Sequence, residues 1–338
     1  MNRRTFLQHT GLALAASMAT AQAARQRAKV QVMTVLGPLP ARGLGRVLIH
    51  EHVMVDFIGA DQVTPARYNA DEVFAKALPF LVQAKAAGCD TLVECTPAYL
   101  GRDAALLRRL ARASGLHIVT NTGFYGAADD KYVPRFAYTE TADELALRWV
   151  REFEDGIPPD NVRPGIMKIG VDPGQLSEID AKLVRAAARC HKRTGLAIAA
   201  HTGDGVAALA ELEILKEEGV DPSAFIWVHA QSEKDPSIHE RAAQQGAWVE
   251  FDGISSKTID QHVELVMHMK RAGLLRRVLI SQDAGWYHVG QPGGGEFRGF
   301  EGLFTEFLPA LRKAGATEKD IQTLLVRNPA GALALREL

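Results

Sequence analysis

Val47-Leu48-Ile49-His50-Glu51-His52 is a short apolar run that ends in two histidines separated by one residue. Because side chains on a β-strand alternate between its two faces, His50 and His52 point the same way from the end of this strand. Two imidazoles placed in this way can hold one cation between them. Glu51 faces the other side of the strand and is predicted to be a structural partner.

Four later apolar runs also end in, or contain, a side chain that can bind a metal. These side chains are Lys168, His201, His229 and Asp283. Taken alone, a histidine at a strand end is more often a core or surface residue than a ligand, and an aspartate there can instead cap the following loop. The recurrence of such residues at successive strand ends favours a single site built from all six.

Lys168 is the least expected of these residues, because it lies inside a strand between Met167 and Ile169. Burial disfavours the charged ammonium, so a lysine here is predicted to be a neutral amine. Such an amine can react with carbon dioxide to form a carbamate, which is an anionic metal ligand. The spacing of the residues does not by itself establish that reaction.

Apolar runs alternate with amphipathic segments along the whole chain. We predict eight strands, at 47–50, 91–95, 117–121, 166–169, 196–201, 225–229, 248–251 and 278–283. We predict seven helices between them, at 71–87, 103–114, 141–155, 178–194, 206–218, 236–245 and 259–272. This alternation is typical of an α/β protein with a (β/α)8 barrel, whose active site lies at the C-terminal ends of the strands.

Bulk composition agrees with one large domain. The chain has 338 residues, 47% of them hydrophobic, which is enough for a barrel-sized core. A formal net charge of -1 gives no reason to expect a nucleic-acid or anionic-membrane partner. Three cysteines are an odd number and too few for a disulfide framework in a chain of this length. Cys89, Cys95 and Cys190 are therefore predicted to be buried thiols.

The first residues resemble an export signal. Asn2-Arg3-Arg4-Thr5-Phe6-Leu7 is similar to the twin-arginine pattern, and it precedes an apolar segment at 11–21 and the triplet Ala21-Gln22-Ala23. That segment is too short for a stable membrane anchor. We therefore predict a signal peptide at 1–23, one domain at 24–338 and a periplasmic location. The twin-arginine route exports folded proteins, which suits a protein that takes up its metal first.

His50-x-His52, Lys168, His201, His229 and Asp283, in this order on strands one, four, five, six and eight, resemble the phosphotriesterase family of the amidohydrolase superfamily. The resemblance extends to Asn121-Thr122-Gly123-Phe124-Tyr125 and to Phe251-Asp252-Gly253-Ile254. It implies a hydrolase with two divalent ions, expected to be Zn, with Mn, Co or Fe as alternatives. It also implies a homodimer.

The resemblance further implies a role for each residue. His50, His52 and Asp283 would bind the more buried ion. His201 and His229 would bind the more exposed one, and a carboxylated Lys168 and a hydroxide would bridge the two. Asp283 would accept the proton released when the hydroxide attacks. Tyr125 matches the position of a tyrosine that reaches the metal pair in lactonase-like members, although an aromatic there can also serve packing alone.

Two positions depart from the family pattern. Ser232 stands where family members often carry an aspartate that removes the proton, and the nearby Glu233 and Asp235 are predicted to be residues of a helix start. Gly253 stands where the lactonase branch commonly carries arginine. The segment 284–302, with aromatic residues and a run of three glycines, is predicted to be a loop that acts as a lid over the site.

These observations favour hydrolysis of a small lactone or other carboxylic ester, mainly because of Tyr125. Hydrolysis of organophosphate triesters is the near alternative, since the same hydroxide can attack either group. A mononuclear deaminase of the same superfamily is a third interpretation, in which Lys168 would have no role. The absent aspartate at Ser232 also leaves open a catalytically silent, metal-holding binding protein.

Overall fold

The computed structural model describes residues 30–336. An antiparallel hairpin of Gln31–Thr34 (β1) and Gly37–Pro40 (β2) comes first. The following strands are Val47–Val55 (β3), Thr91–Glu94 (β4), His117–Val119 (β5), Asn121–Thr122 (β6), Ile166–Val171 (β7), Ile198–Thr202 (β8), Phe225–Val228 (β9), Trp248–Phe251 (β10), Val278–Ile280 (β11) and Gly285–His288 (β12). The α-helices are Ala70–Ala87 (α1), Ala104–Ser114 (α2), Phe136–Thr139 (α3), Ala142–Glu154 (α4), Glu178–Thr194 (α5), Gly205–Glu217 (α6), Pro236–Gln245 (α7), Ile259–Arg271 (α8), Leu308–Lys313 (α9), Glu318–Gln322 (α10) and Asn328–Leu333 (α11).

The strands from β3 onward pair in parallel and follow chain order. One set runs β6-β7-β8-β9-β10-β11, and the other runs β12-β3-β4-β5. β5 and β6 are consecutive in the chain, and the carbonyl of Thr120 between them accepts a hydrogen bond from Gly165 N at 2.8 Å. At the other junction Asp283 N donates to His50 O at 3.1 Å and His52 N donates to Ala284 O at 2.9 Å. The predicted (β/α)8 barrel is confirmed.

The core has two parts, because alternate residues of the buried strands point inward and outward. Val47 and Ile49 of β3 belong to a cluster inside the barrel, whereas Leu48 between them packs in the larger cluster beneath the helices. Each such side chain contributes roughly 1.5–3 kcal/mol when it is fully buried. The inner cluster fills the barrel below the two histidines, so these lie near the upper, open end.

Glu51 holds the last strand segment against the first. Its carboxylate accepts hydrogen bonds from Ser281 Oγ at 2.8 Å, Gln282 N at 3.0 Å and Ala284 N at 2.7 Å. The residue is fully buried, so losing these partners would leave an unsatisfied polar group in the core. Glu51 therefore has the structural role predicted for it.

Several elements differ from the prediction. β3 continues to Val55 rather than ending at 50, because its far half pairs with β12. The segment 284–302, predicted to be a loop throughout, begins with β12. The sequence analysis also missed the hairpin β1–β2 and every helix after residue 302.

In residues 30–336, no helix combines the length and the apolar character that crossing a bilayer requires. The proposed signal peptide at 1–23 lies outside the described residues. All three cysteines are buried free thiols, as predicted.

Replacing Gly285 by alanine should destabilise the barrel strongly. Gly285 has φ +96°, and a Cβ there would overlap the carbonyl oxygen of His52. We expect a loss of more than about 3 kcal/mol in the free energy of unfolding, measured by urea denaturation. Gly174→Ala is the matched control, because Gly174 has φ +88° with open space around it, so only about 1 kcal/mol should be lost. Equal losses in the two variants would contradict the proposed clash.

Candidate metal centre

The predicted site residues lie within the barrel strands or a few residues past their carboxyl ends. β3 carries both histidines of the opening motif, and β7 and β8 carry one residue each. His229 directly follows β9, whereas Tyr125 and Asp283 each lie three residues past the end of a strand, β6 and β11. A single cavity of about 170 Å³ is lined by His50, His52, Tyr125, Lys168, His201, His229 and Asp283. The structure thus brings together all seven residues that the sequence analysis selected.

Three ligand atoms converge at the bottom of this cavity. His50 Nε2 and His52 Nε2 lie 3.3 Å apart, and Asp283 Oδ1 lies 3.1 Å from the second and 3.8 Å from the first. Asp283 Oδ1 is shielded from solvent, and it accepts no well-directed hydrogen bond from any residue in 30–336. His52 Nε2, at 3.1 Å, is not oriented to donate a hydrogen bond to this oxygen. Lone pairs that face one another in this way fit a shared cation.

The other ring nitrogen of each histidine fixes how the ring is turned. His50 Nδ1 lies 2.8 Å from Glu250 Oε1 and 3.2 Å from Asp252 Oδ2. His52 Nδ1 lies 2.8 Å from Thr96 Oγ1. When Nδ1 carries the proton and donates it to these oxygens, Nε2 keeps a free lone pair aimed at the centre, which is the usual arrangement of metal-binding histidines.

Burial sets the protonation states that metal binding needs. Desolvation lowers the pKa of His50 to about 4 and also lowers the pKa of His52 and of His201. For Asp283, burial acts to raise the pKa, but the close contact with the His52 ring and the nearby His50 hold it below its usual value. At neutral pH the site therefore offers neutral imidazoles and an ionised carboxylate.

His201 and His229 form the outer part of the site. Their rings are 4.3 Å apart at an angle of 79°. His229 Nδ1 donates to Asp252 Oδ1 at 2.5 Å, and His229 N donates to Asp252 Oδ2 at 3.0 Å. Because Asp252 Oδ2 also contacts His50, a single buried carboxylate orients one histidine of each proposed ion.

Glu250 and Asp252 are neighbouring buried acids in opposite protonation states. Burial raises the pKa of Glu250 well above its usual value, and the charge of Asp252 adds to this effect. For Asp252 burial acts in the same direction, but contacts with His229 and His50 hold its pKa well below its usual value. The pair therefore carries one negative charge, and two anions are not buried side by side.

Two of the proposed ligands have an uncommon backbone conformation. His229 has φ 63° and Asp283 has φ 51°, both in the left-handed region. This conformation costs a non-glycine residue roughly 1–3 kcal/mol and is concentrated at functional sites. Both residues line the cavity within three residues of the end of a strand.

Lys168 is buried in β7 with only 2% of its surface exposed, and it lines the cavity. Within residues 30–336 no carboxylate lies within ion-pair distance of its Nζ, and its contact partner is the ring of Tyr125, whose centre is 5.7 Å away. A buried ammonium without a counterion is costly. The position therefore favours a role for Lys168 in the cavity over that of a free surface cation.

Tyr125 points its hydroxyl into the cavity, where it lies 2.9 Å from His201 Nδ1. Gly170 allows this position, because a Cβ there would lie 3.0 Å from Tyr125 Cδ2. Burial raises the pKa of Tyr125 above its ordinary value, so the phenol stays protonated and can donate a hydrogen bond.

The mouth of the cavity is aromatic. The Trp286 ring lies 4.1 Å from that of His52 and 5.8 Å from that of Phe57, which in turn lies 6.1 Å from Tyr132. Trp286 belongs to β12, so it is held by the sheet rather than carried on a free loop. The rings of Phe57, Tyr132 and Trp286 all line the cavity.

The residues around Ser232 and Gly253, the two positions that depart from the family pattern, have local structural roles or open space beside them. Glu233 accepts hydrogen bonds from Gly205 N and from two following backbone N–H groups, and Asp235 caps α7. Both acids are engaged in starting helices, as predicted. Gly253 has φ +72° and open space beside it apart from Gln231.

Sequence analysis missed the roles of Glu250, Asp252 and Thr96. Alternation along β10 was the available signal, because Glu250 and Asp252 are two residues apart and so face the same side as each other. Thr96 lies just past the end of β4, in the same layer as His52.

Comparison with known proteins agrees with this geometry. The model of the family described as "Phosphotriesterase family" matches residues 30–333. A phosphotriesterase homology protein of Escherichia coli is 29% identical over 84% of this chain and 96% of its own length. An aryldialkylphosphatase of Saccharolobus solfataricus is 27% identical over 86% and 95%, and a phospho-furanose lactonase of Mycoplasmopsis synoviae is 28% identical over 90% and 92%.

The family match covers nearly all of the described barrel and includes every residue that lines the metal cavity. The similar proteins are named for the hydrolysis of phosphate esters or lactones. The chain is a hydrolase that belongs to the phosphotriesterase family.

Proposed function

We propose that this protein hydrolyses small lactones or other carboxylic esters and that it uses two divalent metal ions. The observation that carries the proposal is the convergence of His50 Nε2, His52 Nε2 and the unpartnered Asp283 Oδ1, with the Tyr125 hydroxyl in the same cavity. Two ions held by these residues would supply a hydroxide nucleophile at neutral pH and would polarise the carbonyl group of the substrate.

We assign the inner ion to His50, His52 and Asp283, and the outer ion to His201 and His229. Lys168, as its carbamate, would complete both coordination shells, and this explains why a buried lysine has no counterion. Imidazole and carboxylate ligands fit Zn best, with Mn, Co or Fe as alternatives.

Asp283 is the proposed proton acceptor. Its carboxylate is ionised, and its side chain is 24% exposed while its Oδ1 is buried. A proton accepted in the cavity can therefore leave towards solvent on the exposed side, without the aspartate that Ser232 replaces. Tyr125 is placed to donate a hydrogen bond to a substrate carbonyl next to His201.

Carboxylic esters are favoured over phosphotriesters by the size and the lining of the site. The cavity is about 170 Å³, and Phe57, Tyr132 and Trp286 narrow its mouth, which suits a flat ester group better than a phosphorus centre with three substituents. Organophosphate triester hydrolysis remains the second candidate, because one relative is an aryldialkylphosphatase. We also propose the signal peptide at 1–23, the mature domain 24–338, a periplasmic location and a homodimer.

Metal removal and reloading test the proposed function. The purified protein should contain about two divalent ions per chain and hydrolyse lactones or aryl esters. Chelation should abolish this activity, and Zn, Mn or Co should restore it. A protein that holds metal but cleaves no lactone, ester or phosphotriester would be the silent binding protein. One ion per chain with deamination of a purine or pyrimidine would instead support the deaminase.

Lys168→Ala tests the bridging carbamate. We expect fewer than two ions per chain and a loss of activity of at least about 100-fold, because both ions lose a shared ligand. A short carboxylic acid should partly restore metal content and activity by occupying the vacated space. Metal content equal to that of the unchanged protein would rule out a bridging role. Lys182→Ala is the control, because its amine binds backbone carbonyls away from the cavity.

Asp252→Asn tests whether this residue orients ligands of both ions. We expect a decrease in metal affinity of about 10–100-fold at each position, since His50 and His229 would lose their charged partner. Competition with a chromophoric chelator would measure both affinities. Asp235→Asn is the matched control, because asparagine caps a helix as well as aspartate does. A change at one position only would show that Asp252 does not serve both histidines.

A further inference from the structure

A second and larger cavity lies beside the metal centre. It has a volume of about 450 Å³, within the range of small-molecule sites, and it shares no lining residue with the metal cavity. A thin wall separates the two. Leu100 and Tyr125 line the metal cavity, whereas their neighbours in the chain, Tyr99 and Phe124, line the second one.

The walls of this second cavity are aromatic. Phe124 packs edge to face against Tyr99 at 5.5 Å, Phe136 at 5.8 Å and Trp149 at 5.3 Å. Tyr99 has φ 67°, an uncommon conformation for a bulky residue and one that is concentrated at ligand sites. Aromatic walls of this kind favour a flat, apolar ligand body.

Most charged groups that line the second cavity already have partners. Arg102 binds Glu152 through two hydrogen bonds of 2.8 and 2.7 Å. Arg148, another lining residue, pairs with Glu140, and Asp56 pairs with Arg67. The opposite charges within each pair cancel, so these pairs attract neither a cation nor an anion strongly.

Two lining groups lack partners among residues 30–336. The indole N–H of Trp149 has no acceptor although the residue is only 1% exposed. Arg151, two residues further along α4, is exposed to solvent, and its guanidinium forms neither an ion pair nor a hydrogen bond with residues 30–336. A buried donor without an acceptor costs roughly 1–3 kcal/mol. That cost applies to the buried Trp149 N–H, whereas the exposed Arg151 adds a positive charge to the lining of the cavity.

We propose that this cavity is a second binding site, for a small organic monoanion with a flat apolar body and a carboxylate. The body would pack between Tyr99, Phe124 and Phe136. The carboxylate would lie near Arg151, with an oxygen within reach of the Trp149 N–H after a small adjustment of the ring. Binding involves no metal ion, so the proposal stands apart from the proposed hydrolase mechanism.

The test uses the metal-loaded protein and two probes, 3-phenylpropionate and its neutral amide. Calorimetry should show that the carboxylate binds about tenfold more tightly than the amide. In spectra of ¹⁵N-labelled protein, the indole N–H signal of Trp149, identified by its absence in Trp149→Phe, should shift on adding the carboxylate.

Arg151→Gln should weaken carboxylate binding about tenfold and leave amide binding unchanged. Arg112→Gln is the matched control, because Arg112 is an exposed helical arginine that does not line the cavity. A carboxylate bound only at the metal ions would shift no Trp149 signal and would not respond to Arg151→Gln, which would overturn the proposal. Failure of both probes to bind would also overturn the proposal. That result is expected if a second copy of the chain covers the cavity, and sedimentation of Arg151→Gln would then show altered self-association.

Discussion

The buried carboxylate of Glu51 is the contact on which the rest of the site depends. It lies between two proposed ligands on β3, and it accepts three hydrogen bonds from the segment that follows β11. Because these bonds fix that segment, Asp283 comes within 3.1 Å of His52 although the two residues are far apart in the chain. One short stretch thus supplies two ligands on one face and, on the other, the group that positions a third.

The buried acids Asp252 and Glu250 likewise position more than one residue of the site. Asp252 contacts His50 and His229, so the inner and outer parts of the site are oriented by one carboxylate rather than two. A protonated Glu250 beside it adds hydrogen-bonding capacity without adding charge. Burial keeps His50, His52 and His201 neutral, and this buried acid pair with its single negative charge fixes the orientation of the His50 and His229 rings. The orientation and the protonation states of the site residues therefore both depend on their burial at one end of the barrel.

The barrel and the residues that line its cavity could be predicted because buried parallel strands have continuous apolar sequences, and polar residues in them or at their ends stand out. β12 could not be predicted, because Gly285-Trp286-Tyr287-His288 contains no continuous apolar run. It forms a strand because β3 offers an open edge and because a glycine fits against the His52 carbonyl. Asp252 was noticed only as part of a family segment. Its role depends on three strands meeting, which no local pattern encodes.

The inner ligands also have a mechanical consequence, since they come from the first and the last strands of the barrel. An ion bound by His50, His52 and Asp283 would cross-link the place where the cylinder closes. Opening of that junction and escape of the ion would then be a single event, so that metal occupancy and resistance to unfolding rise and fall together. A barrel closed in this way would keep its inner ion for as long as its first and last strands stay paired.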